Sequence, residues 1–119
     1  RAGDEVSIET DLVKLLRDAG LSAFLQAVPA DVARPFTVVR TDASEPLNTL
    51  GGYGGITRTD FVFDCWADTP AAAIEQRDGV TAAIRDSALN YSQLPSGDNV
   101  YEDRVDQFLE SCSFSIWHA

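Results

Sequence analysis

One histidine, two cysteines and 19 carboxylates bound the chemistry open to this chain. His118 stands next to the last residue, and no serine lies in a G-x-S-x-G elbow, so no nucleophile–base pair is signalled. Cys65 and Cys112 are far apart and neither belongs to a C-x-x-C pair, which argues against a structural zinc. Both fall on alternating apolar stretches, where buried free thiols are expected rather than a disulfide. Two thiols without metal-type spacing fit a reduced, cytosolic folding compartment. Pairs such as Asp60 and Asp64 share one face of a strand and point toward a cation site; solvated surface carboxylates are the simpler reading. The run LGGYGGIT invites comparison with phosphate-cradling loops, but Ile56 and Thr57 stand where a P-loop needs Lys and Ser/Thr. A dinucleotide fingerprint needs a strand before and a helix after, whereas a strand follows here. The sequence therefore offers no catalytic residue, no cofactor-binding residue and no metal ligand set, and the expectation is a protein that is not an enzyme.

Charge narrows the partners. The formal net charge of −10 opposes wrapping DNA, because phosphate binding needs a field of the opposite sign. It is compatible with a wall past which a duplex moves without sticking, or simply with solubility. There is no run of about 18 apolar residues, so no membrane span is expected, and no charged-then-apolar signal segment opens the chain. With 45% hydrophobic residues, the 119 residues suit a single domain over 1–119.

The best-defined elements are a strand and a helix in the stretch RTDFVFDCWADTPAAAIEQRDGVTAAI, residues 58–84. Phe61, Phe63, Cys65 and Ala67 alternate with Asp60, Val62, Asp64 and Trp66, the pattern of a half-buried strand. Thr69 suits a helix N-cap and Pro70 the first helical position. In that helix Ala73, Val80, Ala83 and Ile84 can face a sheet, with Arg77 beside the stripe and its head reaching water. Gly79 costs about 1 kcal/mol relative to Ala, which calls for a close neighbour or a broken helix.

Before this core, residues 4–19 read as a helix whose stripe is Ile8, Leu12, Leu15, Leu16 and Ala19, stopped by Gly20. Residues 21–28 either extend it or form a short strand. Residues 35–40 read as a strand. Residues 42–57 read as a flexible Gly-rich arm, with Tyr53 amid Gly51, Gly52, Gly54 and Gly55 as a docking anchor. After the core, 89–94 is a short strand or extended segment, 95–98 a turn, and 100–104 a strand or loop. Cys112, Phe114, Ile116 and His118 alternate with Ser111, Ser113, Ser115 and Trp117 in a closing strand. The fold class is α+β: about four mainly antiparallel strands packed by two helices, in the order α-β-β-α-β-β. Trp66 and Trp117 fall on the face opposite the Phe rows. Either helices within the chain cover both faces, or the second face is buried on another subunit.

The stretch FDCWADTPAAAIEQRDGVTAAI resembles the strand–helix core of the small tail-terminator (tail-completion) proteins of long-tailed bacteriophages. The matching positions are Asp64, Trp66, Ala67, Thr69, Ala72, Val80, Ala83 and Ile84. ARPFTVVRTD is similar to that family's first strand, and FSIWHA to its closing strand. The resemblance implies a structural virion protein of the tail and neck, assembled in the host bacterial cytoplasm. It implies a homohexameric ring that caps the tail tube, ends tube polymerisation and meets a head-completion or connector protein. DNA would pass through the ring without specific binding. Gly51, Gly52, Tyr53, Gly54, Gly55, Trp66 and Trp117 are the interface candidates. An alternative from another class is a cytosolic ferredoxin-like domain that binds a small ligand or regulates, with the glycine loop closing over the ligand.

Overall fold

A computed structural model describes residues 8–26, 32–49, 52–95, 99–102 and 107–119. The elements are α1 (Ile8–Asp18), β1 (Ala23–Leu25), β2 (Phe36–Thr49), β3 (Gly52–Ala67), α2 (Pro70–Arg85), β4 (Asn90–Gln93), β5 (Asn99–Glu102) and β6 (Gln107–His118). The α+β class stands, but the strand count and order need correcting. The six strands form one sheet in the order β1-β2-β3-β6-β4, with β5 also on β6. β4 pairs with residues 114–117 of β6 and β5 with 107–110, so the two lie end to end along one edge and the sheet is five positions wide. β1 is parallel to β2 and the remaining pairings are antiparallel. Residues 21–28 thus supply a strand. It is only three residues long, too short for alternation to reveal it in sequence.

The largest departure is in the glycine-rich stretch. β2 runs on to Thr49 and β3 begins at Gly52, so the residues read as an arm continue the two central strands as a long antiparallel hairpin. Two irregularities hid this. The register shifts between Thr41 and Ala43, leaving Asp42 as an extra residue, and again between Leu47 and Asn48, where Gly54 and Gly55 stand between the paired residues Tyr53 and Ile56. Gly55 has φ +81°, a conformation that L side chains rarely adopt, and a Cβ there would meet nothing within 4 Å; the backbone, not crowding, asks for glycine.

Both helices pack on the same face of the sheet. Leu12, Val13 and Leu16 of α1, Val80 and Ile84 of α2, and Val39, Phe61, Phe63, Cys65, Cys112, Phe114 and Ile116 of the sheet form one buried cluster. The pairing register sets Phe63 beside Cys112 and Phe61 beside Phe114, and the rings of Phe63 and Phe114 meet edge to face at 5.8 Å. α2 starts as expected: Thr69 has extended φ/ψ, its hydroxyl accepts from the Ala72 N–H at 3.1 Å, and Pro70 follows.

α2 is unbroken through Gly79. A Cβ at that position would lie 3.1 Å from Leu21 Cδ2, so the glycine makes room for the side chain that leads out of α1. Gly79→Leu is expected to destabilise the fold by about 1–3 kcal/mol through overpacking. Combined with Leu21→Ala, the same change is expected to cost clearly less than the sum of the single effects, as urea denaturation of the four proteins of the cycle would read.

Candidate assembly interface

The face of the sheet turned away from the helices is built by the even-numbered residues of β3 and the odd-numbered residues of β6. Register aligns them with β2 in five rows across the strands: Phe36–Trp66–Leu109, Val38–Asp64–Ser111, Arg40–Val62–Ser113, Ala43–Asp60–Ser115 and Glu45–Arg58–Trp117. Among the described residues no helix covers this face. Neither α1 nor α2 therefore supplies internal coverage of the Trp66/Trp117 side.

The polar middle of the face is internally matched. Asp64 accepts from Arg40 Nε at 2.7 Å and from the Ser111 hydroxyl at 2.7 Å. Asp60 accepts from the Ser115 hydroxyl at 2.6 Å and faces Arg58 Nε at 3.6 Å. Hydrogen bonding to Asp64 is the first cause holding the Arg40 guanidinium above its ordinary value. The two aspartates that hinted at a cation site thus each bind a serine from the next strand and an arginine. Among the described residues, no group of three His, Cys, Asp or Glu is placed to hold a metal. Ser111 and Ser115 on β6, which looked like plain polar facing, are cross-strand donors, a role invisible until register is known.

Aromatic residues mark both ends. Trp66 and Trp117 are half-buried. Phe36 is 9% exposed and meets Phe24 of β1 edge to face, ring centroids 6.5 Å apart. The arm holds Ile56, which is 46% exposed, and residues 41–46 are all exposed. Of the glycine candidates, Gly52, Gly54 and Gly55 lie within β3, and Gly51 lies outside the described residues. Tyr53 pairs with Asn48 through the backbone, while its side chain lies outside the described residues. Grooves of about 480 and 430 Å³ run beside Gly79, and neither is lined by a residue of 42–57.

Three features of the helix-covered side escaped the sequence reading. Arg77 does not simply reach water: its Nη1 lies 2.5 Å from Glu110 Oε1, and Glu110 is 6% exposed. Gln76 is buried and donates to the Thr37 hydroxyl at 2.9 Å, which in turn donates to Cys65 Sγ at 3.5 Å, tying α2 to β2 and β3. His118 Nε2 lies 2.8 Å from Thr59 Oγ1, itself 3.2 Å from Ser44 Oγ, a polar string linking β2, β3 and β6 at the base of the arm. The helical spacing of Gln76 with Ala73, Val80 and Ile84 was the available signal for the second; only register reveals the others.

Both cysteines are free and buried. Burial pushes the Cys65 thiol up to about 12 and the Cys112 thiol up to about 11, from an ordinary 9.0. The folded chain therefore holds these protons to higher pH than the unfolded chain. The contribution to stability is complete below pH 9.0 and is lost as pH rises through the folded values. At pH 8 neither thiol is expected to react with Ellman's reagent until denaturant is added, when both should. Between pH 8 and pH 10.5 the Cys65→Ala/Cys112→Ala variant is expected to lose less stability than the parent chain, measured by denaturation midpoint.

Among the described residues, no helix is long and apolar enough to cross a membrane. Comparison with known families matches residues 11–119 to the family described as Tail completion protein gp17. No curated protein matches the chain.

Proposed function

Since the chain belongs to the tail completion protein gp17 family, and so is a structural component of a phage tail, we propose that it closes into a homohexameric ring on the end of the tail tube. The ring ends tube polymerisation and presents a surface to a head-completion or connector protein. The family match over nearly the whole chain carries this reading. The sheet geometry supports it: among the described residues no helix lies over the face with Trp66 and Trp117, and a second copy is the cover that an assembly protein has to hand. Subunits would meet through different patches, the arrangement that generates rings. The acid excess suits a channel wall, since DNA carries the same sign and slides past without binding. The role is steric and needs no reacting group.

The test is mass and shape in solution. Size-exclusion chromatography with light scattering, and negative-stain images of the peak, are expected to give a closed ring of about six copies, alone or on adding tail-tube protein. A chain that stays monomeric at high concentration and is unchanged by tail-tube protein would remove the ring reading.

A further inference from the structure

The Phe36–Trp66–Leu109 row and the arm lie at opposite ends of the paired β2 and β3. At one end, the Phe36–Trp66–Leu109 row spans three strands without a charged member, and Phe24 continues it toward the β1 edge. At the other, the hairpin presents Ile56, the most exposed of the large hydrophobic residues described, on the same face as Arg58 and Asp60.

The backbone edge of the arm is poorly made for strand addition. β1 pairs with β2 only as far as Val39. Beyond it, Asp42 interrupts the ladder and Pro46 has no N–H to give. Both features blunt an edge against sheet extension. An arm built this way makes its contacts with side chains.

Charge selects what those side chains meet. Residues 41–57 contain Asp42 and Glu45 and no Lys or Arg. Two copies, each at −10, repel overall, so a contact between them must place this acidic arm beside guanidinium groups. Arg34, bonded to Asp68, precedes the row by two residues, and Arg40, bonded to Asp64 with its side chain 50% exposed, stands two rows beyond it.

We propose that the arm of one copy lies across the Phe36–Trp66–Leu109 row of another, with Ile56 as its apolar contact and Asp42 and Glu45 toward Arg34 and Arg40. This rests on the reading of the chain as a self-assembling tail protein and names the two patches that meet.

The test is a disulfide trap with Ile56→Cys and Leu109→Cys in one chain. Leu109 lies beside Trp66, ten residues along β3 from position 56. At about 3.3 Å per residue the two sites are roughly 33 Å apart within a copy, far beyond the reach of a disulfide. Any bridge between them therefore joins two copies, and buried Cys65 and Cys112 do not compete. Thermal unfolding by circular dichroism checks that each variant is folded. Mild oxidation is expected to give covalent multimers at least roughly tenfold faster than either single variant, because docked thiols meet at a high effective concentration.

A covalent ladder up to ring size supports the arm–row contact and the ring together. A ladder that stops at two copies supports the contact and removes the ring. An untreated ring in which the double variant links no faster than the single variants overturns the contact and leaves the ring standing. Linkage by Ile56→Cys alone as fast as by the double variant means that arm meets arm, which also overturns it. No linkage from a chain that never assembles removes both.

Discussion

β3 is paired on both sides, with β2 and with β6, over residues 57–66, and every other element takes its place from it. Its odd-numbered residues build the floor on which both helices rest. Its even-numbered residues build the other face. Since side chains alternate with period two, burying Phe61, Phe63 and Cys65 commits Asp60, Val62, Asp64 and Trp66 to the opposite surface. A shift of one residue would carry two carboxylates under the helices and two phenylalanines into the open. The cross-strand bonds from Ser111 to Asp64 and from Ser115 to Asp60 hold the register against that shift from the side the helices do not reach.

That arrangement reconciles a charged face with the assembly proposed above. Carboxylates left alone on the sheet would oppose close approach by a second surface. Here each is matched by a serine hydroxyl and a guanidinium, so the middle of the face carries two Asp and two Arg in balance. Covering it requires less removal of unmatched charge from water than the overall composition implies. The apolar Phe36–Trp66–Leu109 row at one end supplies area with little polar cost. Such a surface suits the proposed contact with a second copy of the chain.

Residues 58–85 were legible from the sequence because each local signal agreed there: strict alternation, then a Thr cap, a Pro at the first helical position and a small-residue helix. The closing strand was legible for the same reason, through Ser and apolar residues in turn. The arm was not. Glycines, a proline and an extra residue in β2 are the marks of a loop, and they also mark a hairpin with bulges; only pairing with the opposite strand separates the two. The placement of Trp66 and Trp117 together on one face was readable from parity. What made that face significant, the gathering of both helices on the other side, is a long-range fact that no window of sequence contains. The same holds for Glu110 beneath Arg77, which joins positions 33 residues apart.

The hairpin beyond the sheet body has a consequence for how such chains diverge. Its outer residues on β2 pair only with β3, so its length is uncoupled from the packing under the helices. Adding or removing two residues from each strand keeps every side chain on its own face and changes the span by about 6–7 Å. Reach is thus a quantity that selection can adjust in steps while the core sequence stays put. A chain of this design can be refitted to a neighbour of another width by lengthening one turn-bounded segment, with no change to the residues that make it fold.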